Sequence, residues 1–375
     1  MSTKVCIITT VHPPFDTRIF HKQAKTLARA GYEVVLIAQH DREEVVDGVR
    51  IIPLPKPRNR LSRMFGLTWK ALRIALKQKA SVYHFHDPEL LIVGALLKLF
   101  TKAKVVYDVH EDYKTSILQK KYIPKLFRYI LAYFLRGLEI SLSPLFVLIL
   151  AERYYKEFFP KGILILNYPD LDLLQKIRAP SSLSKSLSKK TPRLIYAGGI
   201  TMDRGALIQA QLVRSIPGLH VFLIGRCSEK LCAYLQEMVK DKLQYLHLKV
   251  DPVHVPYTRI VEYYAVGGWI AGVALFPPSQ HYIRKELTKL FEYMAFGIPV
   301  VCSSFPAWRE IVEGNQCGLC VNPLNPEEIA SAIKWLINHP DEAKRMGENG
   351  RRAVEKKYNW NKEAKKLLGL YKRLL

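Results

Sequence analysis

Lys4-Val-Cys-Ile-Ile-Thr-Thr10 is followed by Arg18-Ile-Phe-His-Lys-Gln-Ala-Lys-Thr-Leu-Ala-Arg-Ala30, then Gly31, then Glu33-Val-Val-Leu-Ile-Ala38. The first and last runs are nearly continuous in apolar residues, the pattern of strands buried on both faces. The middle run repeats its apolar residues at helical spacing, and Gly31 stops it. Strand, helix and strand with short connections predict a parallel sheet. The rhythm continues through a helix near Thr68–Lys79, a strand at Val82–Phe85, a helix at Pro88–Phe100 and a strand at Lys104–Asp108.

The pattern breaks at the turn cluster Asn167-Tyr-Pro-Asp170 and the polar, low-complexity run Ser181–Lys190, so residues 168–191 read as a linker. A second α/β rhythm starts at Arg193-Leu-Ile-Tyr-Ala197. It includes strands at Leu219–Ile224, Ala271–Phe276 and Pro299–Cys302, with helices at Glu229–Lys240 and Glu286–Phe296. Three helical stretches follow, Pro326–Asn338, Pro340–Lys357 and Asn361–Leu374. The expected organisation is an N-terminal Rossmann-like domain over 1–167, a linker over 168–191, a C-terminal Rossmann-like domain over 192–355, and a terminal helix over 356–375 returning toward the first domain. Open parallel sheets bind ligands at the carboxyl ends of their strands, so the site is expected between the two domains.

Composition narrows the class. The 375 residues carry 57 Lys and Arg against 33 Asp and Glu, a formal charge of +24, with 49% hydrophobic and 24% charged residues. Disorder, collagen and a disulfide-stapled miniprotein are excluded. The N-terminus lacks the basic and apolar regions of a signal peptide. The longest apolar run, Pro144–Ala151, is far too short to span a bilayer. Six cysteines without framework spacing fit reduced thiols, and the single pair Cys317-Gly-Leu-Cys320 lacks the second pair that a zinc site needs. A cytoplasmic location is expected.

Several nucleotide motifs are missing. The first strand runs into Val11-His-Pro-Pro-Phe-Asp16, without the glycines that bring a dinucleotide's pyrophosphate close to the backbone, and no Walker sequence is present. The second domain instead opens with Tyr196-Ala-Gly-Gly-Ile-Thr-Met-Asp-Arg-Gly205. There Gly198 and Gly199 permit close approach, and a helix N-terminus with Arg204 suits a diphosphate. In Glu286-Leu-Thr-Lys-Leu-Phe-Glu-Tyr-Met-Ala-Phe-Gly297, Glu292 stands among apolar neighbours, where a carboxylate is costly unless paired or bound to ligand hydroxyls.

In the first domain His12, Asp16 and Arg18 lie where the first strand meets its helix, and Asp16 also fits an N-cap. His84 and His86 face one side of a strand, without the partner set of a zinc site. Asp170-Leu-Asp172 matches a metal–nucleotide motif only formally. Lys120–Arg136 mixes basic, aromatic and aliphatic residues at helical spacing. It reads either as an interfacial helix meeting anionic lipid or as a core helix with a basic outer face.

Taken together, Lys289-Leu-Phe-Glu-Tyr-Met-Ala-Phe-Gly-Ile-Pro-Val-Val301, Phe305-Pro-Ala-Trp-Arg-Glu-Ile-Val312 and Cys317-Gly-Leu-Cys-Val-Asn-Pro323 resemble the donor-site signature of family 4 glycosyltransferases. Phe15-Asp-Thr-Arg-Ile-Phe-His21, Tyr83-His-Phe-His-Asp-Pro-Glu89 and Tyr107-Asp-Val-His-Glu-Asp112 resemble one branch of that family. The resemblance implies the GT-B fold, two Rossmann-like parallel-sheet domains facing each other across a cleft. It further implies a nucleotide-sugar donor, retention of anomeric configuration, and neither cofactor nor metal. Carried over by position, Glu292 holds the donor ribose, Arg204 the diphosphate, and His110 lies near the transferring sugar. Read from the residues themselves, Gly198, Gly199, Lys289 (alternatively a solvated lysine) and Leu290 are the further donor-side candidates, and His12, Asp16, Arg18 and His86 the acceptor or cleft candidates. The family's E-x7-E pattern is broken, because Arg284 stands eight residues before Glu292.

The expected partners are a glycan or lipid-linked acceptor and an anionic membrane surface, met peripherally at its inner face through Lys120–Arg136 and the terminal helices. No nucleic acid is expected, since Lys and Arg are spread along the chain without a recognition motif. A nucleotide-sugar epimerase or hydrolase, and an inactive assembly partner, remain open alternatives.

Overall fold

The structure is a computed structural model that describes residues 3–120, 122–186, 191–253 and 255–375. Lys121 of the basic helical stretch and 187–190 of the expected linker lie outside those residues. Two compact units are present: Met1–Asn167 with Trp360–Leu375, and Tyr168–Asn359.

The first unit is built on eight strands: β1 (Lys4–Ile8), β2 (Glu33–Gln39), β3 (Glu44–Val46), β4 (Val49–Leu54), β5 (Val82–Phe85), β6 (Lys104–Val109), β7 (Val147–Leu150) and β8 (Ile163–Leu164). Their order across the sheet is β3-β4-β2-β1-β5-β6-β7-β8, and all pairs are parallel except β3 with β4. That hairpin turns on Asp47-Gly48, both with positive φ, a dipeptide suited to the tight turn between antiparallel strands. The apolar run Pro144–Ala151 supplies the buried strand β7.

Because side chains alternate along each strand, the sheet builds two cores. Cys6, Ile8, Val35, Tyr83, Phe85 and Tyr107 pack under helices Thr68–Gln78 and Leu91–Phe100. Val5, Ile7, Leu36 and Val106 pack against Ile19, Phe20 and Leu27 and against Trp360, Leu367 and Tyr371 of the terminal helix Trp360–Leu374.

The second unit carries β9 (Arg193–Ala197), β10 (His220–Arg226), β11 (Leu246–Asp251), β12 (Ala271–Ala274), β13 (Val300–Ser303) and β14 (Gly318–Val321), an all-parallel sheet ordered β11-β10-β9-β12-β13-β14. The described residues of 168–191 differ from the linker reading, since they cluster with this unit and contain helices Leu171–Lys176 and Ser181–Ser186. Tyr168 explains much of this, its ring lying 4.8 Å from Phe291 and 5.3 Å from Tyr358. Asp170 of the Asp-Leu-Asp sequence caps the first of these helices by accepting from Leu173 N at 3.2 Å. The division near the C-terminus falls between Asn359 and Trp360, later than position 355. Tyr358 packs within the second unit, whereas Trp360 Nε1 donates to Thr26 Oγ1 at 3.0 Å in the first.

Candidate functional site

In the second unit the sheet reverses its building direction between β9 and β12, and ligands bind at the carboxyl edge of such a switch point. Gly198 and Gly199 leave β9 at that edge. Gly198 has φ +122°, and a Cβ there would sit 3.2 Å from Lys289 Nζ; a Cβ on Gly199 would sit 2.9 Å from Arg204 Nη1. The bare turn therefore opens toward two cations. Gly205 follows at φ +75°, where a Cβ would fall 1.8 Å from the Leu275 carbonyl oxygen, so the chain can enter helix Ala206–Ser215 only through glycine.

Arg204 is fixed by Tyr282, whose hydroxyl accepts from Arg204 Nε at 3.1 Å and donates to Asp203 Oδ2 at 2.9 Å. Lys289 is buried, not solvated. Its ammonium lies 3.7 Å from the centre of the Tyr196 ring and 5.1 Å from that of Phe276, with no hydrogen-bond partner among the described residues. Burial, with the nearby Arg204 charge, holds its pKa well below the usual lysine value. An anion at the glycine turn would supply the missing counter-charge.

Three residues further along helix Thr288–Ala295, and so on a neighbouring face, stands the buried Glu292. Tyr257 donates to its Oε1 at 2.8 Å and Tyr264 to its Oε2 at 3.1 Å. Each oxygen keeps a further lone pair, an arrangement able to accept from a vicinal diol. Tyr257 and Tyr264 were missed from sequence, although their i,i+7 spacing on helix Tyr257–Val266 places both toward one side. Leu290 is a correction: it is fully buried and its amide donates to Leu287 O, so it packs the core and its side chain is closed to a ligand.

In the first unit the switch point falls between β1 and β5, and the ends of β1, β5 and β6 gather a polar cluster. Asp87, fully buried, accepts through Oδ2 from Thr9 Oγ1 at 2.9 Å and from the amides of Thr10 at 2.6 Å and Val11 at 3.2 Å. This pins the β1 turn without glycine, which accounts for the Pro13-Pro14 sequence in place of a glycine loop. His12 projects from that turn, its Nε2 3.0 Å from His110 Nε2 and 3.5 Å from Asp87 Oδ1. His110 Nδ1 lies 3.1 Å from the Asp108 carbonyl oxygen. Burial and the neighbouring His12 lower the pKa of His110.

The structure brings His12 and His110 together but removes Arg18 and His86 from the open edge. Arg18 is buried and grips Asp108 through two 3.0 Å bonds, Nε to Oδ2 and Nη2 to Oδ1, with Nη2 also donating to Ile165 O at 2.9 Å. Asp16 caps the helical turn Thr17–Ala24 by accepting from Arg18 N at 2.8 Å and Ile19 N at 2.9 Å. His86 is fully buried; neither ring nitrogen has a hydrogen-bond partner among the described residues, and Nδ1 lies 3.7 Å from Asp108 Oδ2. Its pKa is held well below the usual value by burial and by His84. Both side chains are thus buried away from the surface.

His84, His86 and Asp108 form the group of potential metal-ligating side chains found among the described residues, with ligand atoms within 4.8 Å of one another. Asp108 supplies the carboxylate absent from the sequence reading. That carboxylate already neutralises Arg18 and accepts from Gln23, so a divalent cation there would add uncompensated buried charge. The cluster reads as a polar core.

Two family profiles match the chain, one within each unit. The family profile described as a glycosyl transferase 4-like domain matches residues 17–139, and that described as glycosyl transferases group 1 matches residues 254–353. The chain belongs to the family 4 glycosyltransferases. This glycosyltransferase is 31% identical over 85 residues to an MMP alpha-(1->4)-mannosyltransferase of Mycolicibacterium hassiacum, a match spanning 22% of this chain and 21% of that enzyme. Its fold, GT-B, is shared with a sucrose-phosphate synthase of Thermosynechococcus elongatus at TM-score 0.77 and 19% identity, covering 99% of each chain. It is shared too with Anabaena HepE, solved in complex with UDP-glucose, at TM-score 0.72 and 14% identity, again covering 99% of each chain.

Within the glycosyltransferase the group 1 match includes Tyr257, Tyr264, Lys289 and Glu292, while the 4-like match includes Arg18, Asp108 and His110. Cys302 and Cys320 oppose one another on β13 and β14 with sulfurs 3.6 Å apart, and Cys317 is buried. Burial pushes the Cys317 thiol up to about 12, which suits core packing and not a redox pair.

Proposed function

We propose that this glycosyltransferase moves a sugar from a nucleoside-diphosphate sugar onto a glycan or lipid-linked acceptor in polysaccharide or glycoconjugate synthesis, at the inner face of a membrane and with retention of configuration. One observation carries the donor assignment: a bare glycine turn faced by Arg204 and an uncompensated Lys289, beside a Glu292 whose oxygens each keep a free lone pair. Cations at the turn meet the diphosphate and Glu292 takes the ribose hydroxyls. The UDP-glucose bound to the Anabaena neighbour supports a nucleotide sugar of this kind.

In the proposed reaction the bond from the anomeric carbon to the diphosphate oxygen breaks, and a bond to the acceptor oxygen forms on the same face. The acceptor proton passes to the leaving diphosphate, whose new charge is stabilised by Arg204 and Lys289. No metal, cofactor or covalent nucleophile is assigned. His12 and His110 are assigned to hydroxyls of the sugar or acceptor. A thermal-shift screen across nucleoside diphosphates tests the reading, since a ligand of the folded state raises its stability by mass action. One diphosphate should stabilise the protein, and folded Glu292→Gln and Arg204→Ala variants should lose both that shift and transfer. Full transfer by either folded variant would overturn the site assignment.

A further inference from the structure

Helix Lys125–Leu142 in the first unit buries charged residues and exposes most of its aromatic ones. A helix on a globular domain ordinarily buries its apolar stripe and shows water its charges. Here the buried positions are Ala132, Arg136 and Glu139, while Leu126, Phe127, Ile130, Tyr133 and Phe134 are exposed, Phe127 and Phe134 each at 64%. The charges facing inward are paired: Arg136 Nη2 donates to Asp112 Oδ1 at 2.5 Å, and Tyr107 donates to Glu139 Oε1 at 2.8 Å. The polar stripe, together with Leu138 and Leu142 packed against the core, thus anchors the helix and holds its aromatic side outward.

Neighbouring elements extend that surface. Helix Leu91–Phe100 touches both Lys125–Leu142 and Thr68–Gln78. Leu61, Phe65 and Trp69 are exposed beside the start of the last of these, and the Arg60 guanidinium lies 5.0 Å over the exposed Tyr122 ring. An exposed apolar area of this extent marks an interaction surface.

Charge identifies the occupant. Residues 55–142, which contain these helices and their flanks, hold 17 Lys and Arg against 6 Asp and Glu, and of the six Asp87, Asp108, Asp112 and Glu139 are buried. The C-terminal residues 326–375 hold 12 Lys and Arg but also 7 Asp and Glu, several of them paired, as in Lys366 with Glu363. The whole run 55–142 therefore nets +11, nearly half of the +24, against +5 for the terminal helices. A second copy of the chain docked there would oppose basic surface to basic surface. An anionic bilayer accepts both features, headgroups meeting Lys and Arg while Tyr and Trp lie at the interface and Phe, Leu and Ile enter the acyl region.

We infer that this face, centred on helix Lys125–Leu142, is a docking surface for an anionic membrane. It gives the lipid-linked acceptor reading a concrete surface yet stands independently of donor chemistry. No helix of the described residues is long and apolar enough to cross a membrane, so the contact is interfacial.

Sedimentation of the full chain with vesicles of phosphatidylcholine alone, or of phosphatidylcholine mixed with phosphatidylglycerol, tests it. Binding should be confined to the mixed vesicles and weaken with salt. Each basic residue removed from the face, Lys70→Gln for instance, should lower partitioning about five-fold. The combined substitution Phe127→Glu, Ile130→Glu and Phe134→Glu should abolish binding while leaving the melting shift by nucleoside diphosphate intact, which separates this surface from the donor site. Equal binding to neutral vesicles, absence of binding to either, or a concentration-dependent dimer abolished by the same triple substitution would overturn the inference.

Discussion

Replacing Lys289 by Met tests whether a buried, unpartnered ammonium awaits a diphosphate. With the site empty, burial and Arg204 depress the lysine's pKa, while Glu292 only partly opposes them. A bound diphosphate adds negative charge beside the ammonium and raises that pKa. Between the two values the complex holds more protons than the free enzyme, so binding takes up protons, to a limit of about one. Affinity is then greatest at low pH and falls, by at most about tenfold per pH unit, as pH rises through the window. The assay is calorimetric titration of the stabilising nucleoside diphosphate at one pH in buffers of different ionisation enthalpy. The slope of apparent heat against buffer enthalpy counts the protons. Lys289→Met should remove the slope and weaken binding about ten- to a hundredfold, the worth of one charge-assisted hydrogen bond. Uptake of protons by the Met variant equal to that of the parent would refute the reasoning, as would pH-independent affinity in the parent.

Arg18→Ala should cost about 3–5 kcal/mol in urea unfolding, because it strands the fully buried Asp108 carboxylate; a loss below about 1 kcal/mol would contradict the pairing described. Glu139 gives a pH dependence of known sign. Burial pushes its carboxyl up to about 7 against a pull downward by Arg136, so the folded state binds the extra proton between the unfolded carboxylate range and that value. Stability should fall by about 3 kcal/mol as pH rises through this window, and urea midpoints of Glu139→Gln should lack that component.

Much of the fold was legible in short runs. Arg193–Ala197 and Val82–Phe85 are strands with the bounds read from sequence, because an apolar run of that length flanked by turns has few other stable states in a parallel sheet. The β3–β4 hairpin was missed: Glu44–Val46 is too short and polar for periodicity, and only Asp47-Gly48 signals it. At the site, glycines and the setting of Glu292 announced themselves through local incompatibility, a bare turn and a carboxylate among apolar residues. Tyr257 and Tyr264 did not, since a tyrosine on an amphipathic helix is equally at home in a core.

The sequence alone determined two α/β units, the family signature and the charge excess, because those depend on local pattern and count. Only the tertiary structure decided which charges are used up and which are offered. Arg18 looked available beside the first strand until Asp108, 90 positions away in sequence, was brought against it. The helix after Lys120 could have been read with either face inward. Burial of Arg136 and Glu139 against Asp112 and Tyr107 turns its aromatic side to the exterior, because a buried charge must find its partner while an exposed apolar side chain costs far less.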